Sequence, residues 1–468
     1  MRTLLILAVL VAFGNMVWAQ SAPNPAPASR PAAASARSTS TTASRPEEWL
    51  PLVHNSTQPP PEIGPVKIPP TTPQPGDGQA ELIHRAAIAW FDAALGEIDK
   101  LIPAAEAAAD AIIAGGDFYV TGSPGFIAEC NGRAGGMAFL TVWDGKHLNK
   151  GDVLMIGQLN PYQEGPLNAG VSNFIRGDGS VASGRVIHIA SHNWTLVRDM
   201  APHVNAQKWD KDRLCLIDTR AAAGPTLQDI AIGQMATCAM AWAFQGEMFA
   251  AATRKGKTLV TYASIGEPYG RDWYSLFLGQ KLHTRYNVPP IPPGKIARDY
   301  LRTCQGLLVG FLEHKEGPQY RLAAGRMAKV MNAGGTVWAT SGSHVLSQGA
   351  IIPPELPRMV FLGKSYDWRV AYLKKGDLLF LPGSSRYADE AIAAGGQAVT
   401  MSRADGPTDD NRTHIRTFWT PWDNCVNVPD YPVRILPTSG VGQLIQWYSV
   451  LAETQKLVEP AAASQSGK

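Results

Sequence analysis

The chain has 468 residues, 45% of them hydrophobic, and a formal net charge of +3 at neutral pH. That length accommodates two ordinary domains with full cores. The near-balanced charge, with no basic stripe interleaved with aromatics, excludes nucleic acid as an expected partner.

Residues 1–19 read as a secretory signal peptide: Arg2 gives a positive start, residues 4–13 are apolar, and Val17-Trp18-Ala19 precedes a cleavage point at Gln20. The mature chain is therefore expected to be secreted or periplasmic, a retained membrane anchor being the alternative. No later stretch approaches the roughly 20 apolar residues needed to cross a bilayer, so no stable membrane span is expected after cleavage. Residues 20–80 are rich in Pro, Ala and Ser, with Pro59-Pro60-Pro61 and Pro69-Pro70 near the end. Such a segment has too little apolar surface to offset its ordering entropy and reads as a disordered, semi-extended linker.

Domain 1 is placed at 81–257. Apolar residues from Leu82 to Ile102 recur at helical spacing, and Pro103 marks a break before a second helical run to 114. Gly115-Gly116 stops that run, and 117–121 is a short buried strand ending in Gly122-Ser123-Pro124-Gly125. A helix over 125–140, strands at 151–157, 185–191 and 214–219, and a long helix over 227–253 follow. Strands separated by helical stretches of this length predict an α/β fold with a doubly wound parallel sheet. The connection 258–295 holds one more expected strand, 258–263, and a Pro-rich stretch.

Domain 2, at 296–457, repeats the order before a short tail, 458–468. Helices over 296–313 and 320–332 are closed by Gly334-Gly335, and the strand 336–340 runs into Ser341-Gly342-Ser343-His344. The Gly376-Asp377 strand matches Gly151-Asp152, 398–402 matches 186–191, and 433–438 with the helix 443–457 matches 214–253. From Gly-Gly to Gly-Asp the spacing is 36 residues in the first copy (115 to 151) and 42 in the second (334 to 376). Five elements in one order, with insertions confined to loops, point to a duplicated domain.

This pattern resembles the SIS (sugar isomerase) family in tandem, divergent form. The resemblance rests on the Gly-Gly helix ends, the small-residue loops Thr121-Gly122-Ser123 and Thr340-Ser341-Gly342-Ser343, the Gly-Asp strands, and the later strands ending in Ala190-Ser191 and Met401-Ser402. It implies two three-layer αβα domains packed as a pseudo-dimer, a sugar or sugar phosphate as small-molecule partner, no cofactor, and ligand sites at the carboxyl edges of the sheets. Family members commonly carry a hydroxyl-rich phosphate loop after the Gly-Asp strand. The first copy has Gly157-Gln158-Leu159-Asn160-Pro161-Tyr162, without hydroxyls until the last, and looks degraded; the second has Ser384-Ser385-Arg386.

The substrate-binding candidates are therefore Ser123, Ser341, Ser343, Ser384, Ser385 and Arg386, although each serine also reads as a turn or helix cap. Pro124 weakens the case for Ser123 by removing one N–H. Isomerisation needs a base and a ring-opening acid, typically Glu and His in the family. Glu129 and His344 are the catalytic candidates, beside the plainer readings of a solvated helix carboxylate and a structural histidine. His188 and His192 flank a strand end, and Asp389 and Glu390 read as helix N-terminal charges. The i, i+4 spacing of the two histidines would share a face only in a helix, so no metal site is expected. Cys130, Cys215, Cys238, Cys304 and Cys425 follow no metal spacing, and an odd number leaves at least one unpaired.

The expected function is that of an exported carbohydrate-derivative or phosphosugar binder, possible as a homo-oligomer. The alternatives are an aldose-ketose isomerase with a Glu/His acid–base pair and a structural cell-envelope protein.

Overall fold

The computed structural model describes residues 67–145, 148–160, 184–191, 214–222, 224–265, 267, 269–341, 343–362, 373–382, 387–402, 405–418 and 423–459, all within one compact unit, Leu52–Lys468. The expected signal peptide lies outside the described residues. So does the linker as far as residue 66.

Helices α1 (Gln79–Leu95) and α2 (Ile102–Ile113) open the described chain, with Pro103 in the first turn of α2, where its missing N–H costs nothing. Gly115 (φ +102°) ends α2, and a Cβ on Gly116 would come within 1.9 Å of the Gly151 carbonyl oxygen, so the double glycine is required by a close backbone approach. Then come β1 (Phe118–Gly122), α3 (Pro124–Cys130), β2 (Leu140–Val142), β3 (Val153–Gly157), β4 (Arg185–Ala190), β5 (Leu214–Asp218), α4 (Leu227–Arg254) and α5 (Gly270–Phe277). The second half contains α6 (Lys295–Glu313), α7 (Gly317–Asn332), β6 (Val337–Ala339), α8 (Leu346–Gly349), β7 (Met359–Phe361), β8 (Leu378–Pro382), α9 (Ala388–Ala393), β9 (Gln397–Ser402), β10 (Arg412–Arg416), β11 (Asn424–Val426), β12 (Ile435–Pro437) and α10 (Ser439–Gln455).

The two large sheets have the same strand order. The first runs β2-β1-β3-β4-β5 and the second β7-β6-β8-β9-β10, each parallel throughout. The central strands β3 and β8 are buried at every position, as parallel strands covered on both faces must be. The α/β fold with two doubly wound parallel sheets is as the sequence predicts.

The Gly-Asp match is atomic as well as sequential. Asp152 Oδ1 accepts from the Asp117 N–H at 2.9 Å and Oδ2 from Asn149 N–H at 2.7 Å. Asp377 Oδ1 accepts from the Thr336 N–H at 2.9 Å and Oδ2 from Lys374 N–H at 3.0 Å. Each carboxylate thereby ties the entry of the first strand to the turn that starts the next.

Three expectations are corrected. The helix after β1 ends at Cys130 rather than near 140, because Asn131 is extended and Gly132 and Gly135 take positive φ of 64° and 76°. The stretch 258–263 is no strand of the sheet; it makes only isolated bridges, Met137 to Thr261 and Leu259 to Leu282. The fifth strand of the second sheet is β10, not 433–438. That stretch supplies β12, which pairs antiparallel with β11 alone, and Leu436 inside it sits at φ +65°.

Helices α4 and α10 form the seam between the layers. Every residue of α4 from 230 to 253 is buried, as expected of a helix enclosed all round. It packs on α10, α2 and α6, while α10 also packs on α1 and α7. Near their C-termini the two helices make reciprocal caps. Glu247 Oε2 of α4 accepts from the Gly294 N–H (2.8 Å) at the start of α6, and Glu453 Oε1 of α10 accepts from the Ala80 N–H (2.9 Å) at the start of α1. Both carboxylates meet the positive end of a helix in the opposite half.

Candidate functional site

In a parallel sheet the carboxyl edge is where loops diverge and leave a crevice. At the first sheet the described residues of this edge pack on one another. Ser123 Oγ accepts from Leu159 N–H at 2.9 Å and donates to the Gly157 carbonyl at 3.3 Å, tying the loop after β1 to the loop after β3. A Cβ on Gly157 would stand 2.3 Å from the Phe126 ring, so that ring lies flush against the strand end. Gln158, Leu159 and Asn160 are buried, and Thr237 of α4 donates its hydroxyl to the Gln158 carbonyl at 3.0 Å. The described start of the first loop, 157–160, carries no side-chain hydroxyl and is packed against Phe126 and Thr237, and Ser123 bonds its backbone.

The second sheet presents Thr340, Ser341, Ser343 and His344 at its carboxyl edge. Ser341 and Ser343 are buried, and His344 is half-buried. Ser341 Oγ accepts from Ser343 N–H at 2.9 Å, and Ser343 Oγ accepts from Leu346 N–H at 3.4 Å at the start of α8. Both hydroxyls accept backbone N–H groups within the turn. Ser384, Ser385 and Arg386 lie outside the described residues.

Glu129 is not a solvated helix carboxylate. It is fully buried on α3, at the seam between the layers, against the first turn of α10, where a Cβ on Gly440 would fall 2.1 Å from its Oε1. That oxygen accepts from Trp242 Nε1 of α4 at 3.2 Å and from Arg133 at 3.4 Å, while Oε2 has no hydrogen-bond partner. Arg133 also donates to Ser439 Oγ at 2.8 Å and pairs with Asp423 at 3.0 Å. Asp423 in turn accepts the Thr438 and Ser439 N–H groups at 3.0 and 2.6 Å, capping α10.

Two carboxyl groups, Glu129 fully buried and Asp423 half-buried, thus share one buried guanidinium. Burial pushes the Glu129 carboxyl above its ordinary value, Arg133 opposes the rise, and the Asp423 charge adds to it. Burial works against the Arg133 charge, yet Glu129 and Asp423 together hold it above the usual guanidinium value. Arg133 lies four residues beyond Glu129 but past the end of α3, and it returns to the carboxyl through the turn at Asn131-Gly132; Trp242, Asp423 and Ser439 are far off in sequence.

The remaining candidates have ordinary places. His188 is buried within β4, between Ile156 and Leu216 of the neighbouring strands, and His192 lies outside the described residues. Asp389 opens α9 and pairs with Arg412. The five cysteines are free thiols, four of them buried and Cys215 half-buried. Among the described residues no three His, Cys, Asp or Glu side chains converge as a metal site.

No protein-family profile matches the chain, and no curated protein is similar to it in sequence. Solved structures are similar in fold. The C-terminal domain of glucosamine-fructose-6-phosphate aminotransferase from Francisella tularensis is 10% identical with a TM-score of 0.45, over 81% of this chain and 93% of that one. Tagatose-6-phosphate ketose/aldose isomerase from Escherichia coli is 12% identical with a TM-score of 0.43, over 82% and 95%. A protein described as a putative phosphosugar isomerase, from Clostridium difficile 630, is 8% identical with a TM-score of 0.44, over 83% and 97%. These are likenesses only, and what the chain binds is read from its own residues.

Proposed function

We propose that the protein binds a sugar phosphate or a related carbohydrate anion at the carboxyl edge of its second sheet, and that the first crevice has become structural. The asymmetry carries this reading. Ser123, Phe126, Leu159 and Thr237 are joined at the first edge by bonds and packing from its own chain, whereas the second has a half-buried His344 beside its small-residue turn. Export, as the N-terminal segment is read, supports a binder over an enzyme of cytoplasmic phosphosugars.

The isomerase reading has one point in its favour: the Glu129 carboxyl is raised in the direction a general base at neutral pH requires. Against it, the carboxylate is fully buried between α3, α4 and α10 and is already engaged by Trp242 and Arg133.

Thermal shifts with a panel of hexose 6-phosphates, free hexoses and inorganic phosphate test the proposal. A rise in melting temperature with the sugar phosphates is expected. No rise with any of them, phosphate included, would favour a structural role in the cell envelope. Isomerisation assays on the wild type and Glu129→Gln address the enzyme: turnover retained in the variant removes Glu129 from the chemistry.

A further inference from the structure

Helix α10 lies over the second sheet with a definite polarity. Its C-terminal end is beside the turn that feeds β6, since Asn332 Nδ2 donates to the Leu457 carbonyl at 3.2 Å and Asn332 Oδ1 accepts from Glu459 N–H at 3.1 Å. Its first half therefore lies toward the carboxyl edge. There it packs on α8, and Tyr448 Oη accepts from Ile351 N–H at 3.1 Å. The stripe of α10 that faces the sheet is marked by Trp447, stacked on Phe380 of β8 with centroids 5.2 Å apart and planes at 8°, and edge-on to Phe361 of β7 at 5.7 Å.

Gln443 is one turn nearer the carboxyl edge on that stripe, because residues four apart share a helix face. It is 6% exposed, its Oε1 is buried without a hydrogen-bond partner, and Trp447 Nε1 on the same stripe is a buried donor without one. Buried polar atoms are nearly always paired, so an unpaired acceptor and an unpaired donor together require an account.

The first copy supplies the comparison. The reciprocal caps Glu247 and Glu453 are 206 positions apart, and the same interval carries Thr237 to Gln443 (237 + 206 = 443). Thr237 is the residue whose hydroxyl closes the first edge by bonding the Gln158 carbonyl. At the corresponding place in the second copy the chain has a longer side chain with its acceptor unused.

We propose that Gln443 is a ligand-recognition residue of the second crevice, its side-chain amide reading a hydroxyl of the bound sugar. This rests on the reading of the second crevice as a carbohydrate-anion site and adds the group that distinguishes sugar from bare phosphate. Trp447 fixes the position of the helix face that carries it.

Isothermal titration of the full chain with fructose 6-phosphate, glucose 6-phosphate and inorganic phosphate tests it, using wild type, Gln443→Met, Gln443→Leu and Thr237→Val. Gln443→Met removes the amide at similar volume. It should weaken the hexose phosphates by roughly tenfold, the worth of one buried hydrogen bond, and leave inorganic phosphate and the melting temperature unchanged. Gln443→Leu should do the same, so that a folding defect in one variant leaves the other as the test. Thr237→Val should lower the melting temperature and leave hexose phosphate affinity as it was. Wild-type binding that persists undiminished in the Gln443 variants overturns the role of this residue alone. A wild type that binds none of the three probes overturns the crevice reading and the residue with it.

Discussion

The indole N–H of Trp242 points at Glu129 Oε1 from 3.2 Å, so a helix of the first layer holds in place a carboxyl group that is also pressed on the first turn of the last helix of the second. The contact makes Glu129 part of the joint between layers. Its raised folded-state value means that the neutral form suits the joint: the contribution is complete below the ordinary carboxyl value of 4.5 and is lost as pH rises through the folded value. Glu129→Gln should therefore match the wild type in acid and exceed it in alkali, with urea midpoints measured across pH as the check. A variant less stable than wild type in alkali would show that the ionised form is the favoured one.

Arg133 is drawn onto both Glu129 and Asp423. Arg133→Met leaves two buried or half-buried carboxyls without it and should cost about 3–5 kcal/mol, the usual penalty for breaking a buried pair from one side. The order of chemical denaturation midpoints, wild type and Glu129→Gln well above Arg133→Met at pH 7, tests the assignment.

His84 is fully buried on α1. Its ring is stacked on Phe311 at 3.6 Å and its Nδ1 bonds the Ala80 carbonyl at 2.8 Å. Burial drives its value down from 6.5 to about 3. The neutral ring is the form that fits, so its contribution is complete above pH 6.5 and is lost as pH falls toward about 3. His84→Phe should flatten the acid limb of a melting-temperature profile between those values; an unchanged limb would assign acid sensitivity elsewhere.

Gly125 lies where α3 meets α8. A Cβ there would come within 2.8 Å of both the Gly349 Cα and the Val345 carbonyl oxygen, backbone atoms with no rotamer to yield. Gly125→Ala should cost about 1–3 kcal/mol by overpacking. Gly132→Ala, in an open turn, meets no neighbouring atom and should lose only the smaller cost of its positive φ. Comparing the two by thermal unfolding separates the inter-layer contact from backbone strain.

The repeated fold was legible because its signals are local. Fully apolar strands such as 153–157 and 378–382, the double glycines and the Gly-Asp turns each announce themselves within a few residues. The edge strands β2 and β7 have three residues each, too few for a period, and β10, Arg-Thr-His-Ile-Arg, has the polarity of a loop. The apolar 433–438 looked more like a sheet strand than β10 does, yet its positive-φ Leu436 turns it into a separate ribbon. For the site the difficulty was of another kind. The burial of Glu129 is set by Trp242, Ser439 and Gly440, residues more than a hundred positions away, and no periodicity within α3 reveals them. The lack of a hydroxyl cluster in 157–162 was visible in the sequence, while Thr237 gave no sign of its bond to the Gln158 carbonyl.

The proposed reading, in which only the edge of the second sheet takes a ligand, calls for one ligand per chain. Calorimetric titration of the full-length wild type with a hexose 6-phosphate measures this directly, and the account predicts a stoichiometry of one per chain. Two equivalents per chain, or no binding at any concentration that stabilises the protein, would contradict it.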